Sequence, residues 1–517
     1  ERLWFIHRLE GSVQYHIPSS IKLIGEVNMA AMELAIKTVV ERHEVLRTVM
    51  RENQGEAYQK ICPSSNWQLE VVEAKSLDIT AFKKDFVNRP FDLSNDYMLR
   101  AALIKVDETN FELLLVLHHI ASDGWSSGIL VNELTELYKN FIAQSNPILG
   151  LPEIQYADYA IWQRDYLQGA ILDEKLNYWV NKLKTISPAE LPTDFPRPKV
   201  QSTRGAVANF ELDAQLLNAI NNFSKQNELT LFMTCLAAFK IWLFKASGQE
   251  DICVGTPIAG REYKELDNLI GYFINTLALK TSIEGEFNFA EVAKMVKATT
   301  LEAYEHQDVT FEKIVESVVK VRDLSRPPLF QYAFLLNNAS EATEVSIPGL
   351  KILKQDAGFT TSKFDLSFHL TERANGIGLS VEYCTDLFTP TTINRFVEMY
   401  RNTLQQLLAF PELNISSLDI ITSEDVEQLN AFNATEQPYP TNQTVLDLIK
   451  QQTKNTPNNK ALIFEEEKIT YQELDELTTR ITKNLIHQGV KENSMVPVCL
   501  NRSIELVAAI LGIMKTG

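Results

Sequence analysis

The chain has 517 residues, 45% of them hydrophobic and 22% charged, with 49 basic and 67 acidic side chains and a formal net charge of −18. This is an ordinary globular composition with room for several cores. The acidic balance argues against a protein that grips nucleic-acid backbones, and no apolar run approaches the ~20 residues that span a bilayer.

Both ends read as cuts through a longer polypeptide, because Leu3-Trp4-Phe5-Ile6 follows at once on Glu1 and residues 508–517 read as a helix stopped at a glycine. Residues 28–43 place apolar side chains at helical spacing behind Asn28, a residue suited to cap a helix start. Residues 101–106 and 111–117 are β-leaning runs separated by Asp107-Glu108-Thr109-Asn110, which reads as a hairpin. The second run is apolar throughout, as in a strand buried on both faces. Helices are expected over 126–143, 156–167 and 172–183. Then Leu191-Pro192-Thr193-Asp194-Phe195-Pro196-Arg197-Pro198 excludes regular structure with three prolines and marks the best internal boundary. A long helix over 229–246 and a short buried strand over 251–255 follow. A second, polar and proline-bearing boundary lies at 432–441. Beyond it a helix (445–453), a hairpin (461–469), a helix (471–488), a strand (495–500) and a terminal helix suggest the opening of an α/β domain. The expected architecture is therefore mixed α/β (α+β): two lobes, 1–190 and 191–431, each with its own sheet, a linker at 432–441, and an incomplete α/β segment over 442–517.

The residues that carry chemistry cluster at the end of the 111–117 strand, in His118-His119-Ile120-Ala121-Ser122-Asp123-Gly124. Side chains alternate along a strand, so only one of two adjacent histidines can face a given cavity. An imidazole titrates near ~6.5 and can act as base or hydrogen-bond acceptor at neutral pH. Asp123 in the following turn can pair with a cation, and Gly124 allows positive φ or close approach to a ligand. The spacing also admits plainer readings. A His-His pair is commonly structural. A metal site lacks further ligands at suitable spacing, and a Ser-His-Asp hydrolase lacks a GxSxG elbow. Five scattered cysteines without a CxxC argue against structural zinc and a disulfide framework, and fit a reducing cytoplasm.

The run Leu117 to Ser126 resembles the HHxxxDG motif of nonribosomal peptide synthetase condensation domains, and the companion motifs stand in the family's order. Glu1-Arg2-Leu3-Trp4-Phe5-Ile6-His7-Arg8-Leu9-Glu10-Gly11 resembles the first, and Arg42-His43-Glu44-Val45-Leu46-Arg47-Thr48 the second. Tyr156-Ala157-Asp158-Tyr159-Ala160-Ile161-Trp162, Ile270-Gly271-Tyr272-Phe273-Ile274-Asn275-Thr276-Leu277, His306-Gln307-Asp308-Val309-Thr310-Phe311-Glu312 and Arg322-Asp323-Leu324-Ser325-Arg326-Pro327-Pro328-Leu329 resemble the later ones.

The resemblance implies two chloramphenicol-acetyltransferase-like lobes in a V with a central tunnel. It implies that an acyl or peptidyl thioester on an upstream carrier protein meets an aminoacyl thioester on a downstream one, both borne on 4′-phosphopantetheine arms. No cofactor bound by the chain itself, no metal, no nucleic acid and no membrane are expected. His119 would position or deprotonate the amine, with His118 as buried support and Asp123 held by a salt bridge to Arg261. The Gly124 N–H would approach the oxyanion. Trp125, Ser126 and Asn275 are expected to line the tunnel or, equally, to pack, cap a helix and hold a turn. The opening motif resembles the class with an L-configured donor. Residues 469–474 and 511–517 resemble the start of an adenylation domain, whose remainder would be a partner in the same polypeptide. A noncatalytic recruitment module and an ester-forming acyltransferase are the alternatives.

Overall fold

The computed structural model describes residues 3–4, 7–8, 11–54, 56–76, 78–145, 149–150, 152–337, 347, 349–355 and 361–517. Residues 1–2, 5–6 and 9–10 of the opening motif lie outside the described residues. The chain divides into a unit of residues 1–423 and a smaller one of residues 424–517.

In the larger unit the strands run β1 (His16–Gly25), β2 (Thr48–Asn53), β3 (Glu56–Ile61), β4 (Glu70–Glu73), β5 (Leu99–Lys105), β6 (Asn110–His118), β7 (Gly205–Asp213), β8 (Asp251–Ile258), β9 (Asn275–Ser282), β10 (Tyr332–Asn337), β11 (Leu350–Gln355), β12 (Leu366–Arg373) and β13 (Gly376–Cys384). A five-stranded sheet has the order β11-β1-β6-β5-β4 and a six-stranded sheet the order β7-β13-β12-β10-β8-β9, while β2 and β3 form a separate hairpin. The β5–β6 turn is built by Asp107, whose carboxylate accepts the backbone N–H groups of Thr109 and Asn110, each at 2.8 Å. β6 is central and, from Phe111 to His118, buried on both faces. One side packs on the helices Met29–Arg42 and Gly124–Ile142, the other on Phe86, Phe91 and Met98. Asn28 caps the first of those helices by accepting the Ala31 N–H at 3.0 Å.

The second sheet packs on the helix Leu231–Ser247, where Phe239 and Trp242 meet Phe334, Phe368 and Tyr400. The proline-bearing segment is pinned to this half: the Leu191 N–H donates to the Tyr332 hydroxyl at 2.8 Å and Arg197 binds Asp365 at 3.1 Å. One element crosses between the halves. β11, which comes late in the chain, pairs antiparallel with β1 over Ser20↔Gln355 to Gly25↔Leu350. The first sheet is thus completed by a strand from beyond residue 191, which the sequence order does not reveal.

In the smaller unit, Val445–Asn455, β14 (Lys460–Phe464), β15 (Glu467–Thr470), Tyr471–His487 and Ile504–Met514 form in the expected order. The helix Tyr471–His487 starts with a reciprocal cap between Thr470 and Glu473. The expected strand over 495–500 is not formed. A strand needs a hydrogen-bonded neighbour, and the only sheet in this unit among the described residues is the β14–β15 pair. The helix Ser423–Asn433 covers the beginning of the stretch expected as a linker.

Candidate active site

β6 ends at His118, and His119 opens a 3₁₀ turn, His119–Ala121, so the two imidazoles part at a change of backbone geometry rather than by strand alternation alone. His118 is fully buried. Its Nδ1 accepts the Ile120 N–H at 3.1 Å, which caps the turn, and its Nε2 lies 2.9 Å from the Ser12 hydroxyl. Its ring packs edge-on against Phe91 and His16. Burial, followed by the neighbouring His16, pushes its pKa down to about 3. His118 is a neutral wall residue.

His119 faces the other way, into an open cavity of about 2560 Å³ lined from both halves of the unit. Its Nδ1 lies 2.9 Å from the Ser122 carbonyl oxygen, which can only accept, so the proton sits on Nδ1 and Nε2 presents a lone pair. The ring stands edge-on to Tyr272 at 5.4 Å. Burial first, then the positive charge of Lys363, push its pKa down to about 4, against the opposing pull of the Ser122 carbonyl and Asp123. The imidazole is neutral at physiological pH.

Asp123 caps the helix Gly124–Ile142 and is only 2% exposed. Its Oδ1 accepts from the Ser126 N–H at 2.8 Å and the Ser126 hydroxyl at 2.7 Å, and its Oδ2 from the Phe273 N–H at 3.1 Å. Arg261 approaches it at 3.4 Å, with both side chains 2% exposed. The guanidinium also donates to the carbonyls of Leu266 and Leu269 and to the Ser126 hydroxyl, and covers the Phe273 ring at 4.1 Å. Two desolvated charges are tolerable only with such extensive hydrogen bonding, from which Arg261 Nε alone of the guanidinium nitrogens is left out. The turn ahead of Arg261 requires Gly260: its φ is +64°, and a Cβ there would stand 2.1 Å from the Phe273 carbonyl oxygen. This network ties the helix start of the first half to residues 260–273 of the second.

The remaining expected residues divide by position. Ser126 is fully buried, and its hydroxyl serves Asp123, Arg261 and the Gly271 N–H at 3.1 Å. Trp125 is 52% exposed, donates its indole N–H to the Asp267 carbonyl at 3.0 Å, and does not line the cavity. Gly124 also stands outside the lining. Its φ is not left-handed, so positive φ is not its purpose, and the space beside its Cα is open. Asn275 does line the cavity, yet its amide is spent: it donates to the Gln307 and Val309 carbonyls at 2.7 and 2.8 Å and accepts the Thr276 and Phe311 N–H groups.

Among the cavity residues that escaped sequence reasoning are Tyr272, Lys363, Ser367 and Glu382. Lys363 precedes a strand in a polar stretch and looks like any surface lysine. Glu382 and Ser367 had a faint signal, polar residues at alternate positions within otherwise apolar strands. Among the described residues no group of His, Cys, Asp and Glu is arranged to hold a metal ion. No single helix among them is long and apolar enough to cross a membrane, although the bent pair Ala214–Gln226 and Leu231–Ser247 has the length and composition.

Comparison with known proteins agrees with this geometry. A linear gramicidin synthase of Brevibacillus parabrevis is 40% identical over the whole chain, which spans 10% of that relative's length. The X-domain from teicoplanin biosynthesis superposes with a TM-score of 0.75 at 28% identity, over 81% of this chain and 96% of that one. A four-domain nonribosomal peptide synthetase bound to AMP and glycine superposes with a TM-score of 0.84 at 25% identity, over 100% of this chain and 40% of that one. Residues 449–517 match the AMP-binding enzyme family. Residues 1–430 match the condensation domain family, and the chain belongs to it.

Proposed function

We propose that residues 1–431 join an acyl or peptidyl thioester on an upstream carrier protein to an aminoacyl thioester on a downstream one, forming a peptide bond. The observation that carries this reading is the neutral His119 imidazole, its tautomer fixed by Ser122 and its Nε2 lone pair presented to the large cavity. An amine nucleophile is oriented by such an acceptor, and its proton can pass to Nε2 as charge builds on nitrogen. With a pKa near 4 the imidazole binds a proton weakly, so orientation carries more of its work than proton abstraction. Asp123, Arg261 and Ser126 hold the loop, and His118 supports it from behind.

Both substrates arrive on 4′-phosphopantetheine arms, and the carrier proteins are the partners. The remainder of an adenylation domain, begun by residues 442–517, is a further partner in the same polypeptide. The L-configured donor rests on the opening and histidine motifs, and a cytoplasmic location on the scattered cysteines. The test is His119→Ala with donor and acceptor carriers loaded with synthetic thioesters. Loss of about 10²-fold or more in dipeptidyl formation is expected, and undiminished product would overturn the role. A recruitment module is the second reading, favoured by the likeness to the teicoplanin X-domain, which has been solved in complex with OxyB. No turnover with any loaded carrier pair would support it. Matched amine and hydroxyl acceptors separate amide from ester formation.

A further inference from the structure

Attack of an amine on a thioester carbonyl places negative charge on oxygen, and a chamber that speeds the step needs a donor or cation there. The Gly124 N–H lies outside the lining. The chamber contains a different candidate. Lys363 lines it from the second half of the unit, opposite the histidine loop. Its backbone is pinned on both sides: its N–H donates to Glu382 at 3.3 Å and its carbonyl accepts from Gln201 at 2.8 Å. Ser362 before it is buried and donates its N–H to the Thr203 carbonyl at 3.0 Å.

The side chain is solvent-accessible through the cavity yet enclosed by protein, and burial lowers its pKa while Glu382 raises it. Among the described residues no carboxylate lies within ion-pairing distance of its ammonium. The ammonium instead stands 5.8 Å from the centre of the Tyr15 ring. Tyr15 directly precedes His16, which is paired with His118 across β1 and β6, so the lysine is brought to the end of the ladder where His119 begins. Its charge is felt at His119. By contrast Arg326, another cation of the chamber, is committed to Glu190 and Asp323 at 2.7 and 2.9 Å.

We propose that the Lys363 ammonium stabilises the negative charge formed on the donor's carbonyl oxygen when the acceptor amine attacks. The proposal rests on the peptide-forming reading above. In the step, the amine lone pair forms the C–N bond while the carbonyl π pair moves onto oxygen beside Lys363. Collapse restores the carbonyl, breaks the C–S bond and expels the pantetheine thiolate. That thiolate takes up the proton lost by the amine, relayed through His119 Nε2 or water. One half of the unit thus supplies the acceptor that orients the nucleophile, and the other supplies the counter-charge.

The experiment is single-turnover peptide formation by the full chain with loaded carriers. Lys363→Met is expected to slow the chemical step ~10²- to 10³-fold without changing the carrier concentration that half-saturates the rate. Lys363→Arg should retain activity within about tenfold and lose the alkaline fall in rate, because a guanidinium does not deprotonate in that range. In the unaltered protein that fall begins below the usual lysine value. The titratable groups around the ammonium are Glu382 from β13, His119 from the 3₁₀ turn and Tyr15 ahead of β1. A pantetheine-borne phosphonate mimicking the tetrahedral centre should bind Lys363→Met more weakly by a similar factor, with a thioether analogue of the ground state unaffected. Undiminished turnover by Lys363→Met, a loss confined to carrier binding, or an alkaline fall unchanged in Lys363→Arg overturns the proposal. The arginine variant decides if the methionine variant does not fold. If His119→Ala silences the chain and Lys363→Met does not, only the lysine's role fails. If the unaltered chain makes no peptide with any pair, the peptide-forming reading fails and takes this one with it.

Discussion

The two walls of the chamber are built on opposite terms. Around 118–126 nearly every polar atom is committed: His118 to Ser12 and Ile120, His119 Nδ1 to Ser122, and Asp123 to Ser126, Phe273 and Arg261. Within that run His119 Nε2 is left for the cavity, while beside it His16 Nε2 and Arg261 Nε are buried without a hydrogen-bond partner. Across from it the polar groups are loosely committed. The Lys363 ammonium has no ion pair among the described residues, and His369 Nε2 and Gln331 Oε1 are buried without a hydrogen-bond partner. A wall that holds one atom in place uses its hydrogen bonds internally, whereas a wall that responds to what enters keeps some in reserve.

The largest effect that tests this contrast is Arg261→Ala. Removing one partner of a fully buried pair strands the other, which costs about 3–5 kcal/mol. Denaturant unfolding should show that loss with peptide formation abolished, and a loss under 1 kcal/mol would show the wall is less tightly knit than its geometry. Next comes the titration of His119. Its folded pKa lies below the ordinary ~6.5, so the imidazole stays neutral as pH falls from 8 to 5 and gains its proton only near pH 4. NMR of isotope-labelled histidine, with the resonance identified by its loss in His119→Ala, should show no titration of this ring between pH 5 and 8. A midpoint near 6.5 would mean that the burial is relieved in solution. The smallest effect is expected at His369→Leu, which removes an unsatisfied buried nitrogen at similar volume. Stability should change by under about 1 kcal/mol in either direction, and a loss of 2 kcal/mol or more would erase the difference between the walls.

The same contrast explains what could be read in advance. The histidine wall is local in sequence. A buried strand, two histidines, a capping aspartate and a helix follow one another within twenty residues, and periodicity locates them. The helix start at Asn28 was legible because capping chemistry is local too. The opposite wall is assembled from β10, β12, β13 and the residues before β12, which meet only in the folded sheet. Lys363 has no sequence signature, since its meaning comes from a ladder end more than two hundred residues away. The strand expected at 495–500 failed for the converse reason: composition favours it, but a neighbour to pair with is a property of the fold. Which of its two possible purposes Gly124 serves could not be read in advance, because backbone angles and surroundings are not carried by spacing.

The crossing of β11 onto β1 sets a rule for recombining such chains. A chimera joined near residue 191 looks like a clean exchange of lobes, yet the incoming second half brings the strand that closes the first half's sheet. Six residue positions of β1, Ser20 to Gly25, would then pair with a foreign strand whose side chains were selected against another partner. A first half made alone would leave β1 as a bare sheet edge, open to pairing between molecules. Exchange therefore succeeds best when residues 347–355 travel with residues 16–25, as a graft that follows the sheet instead of the chain.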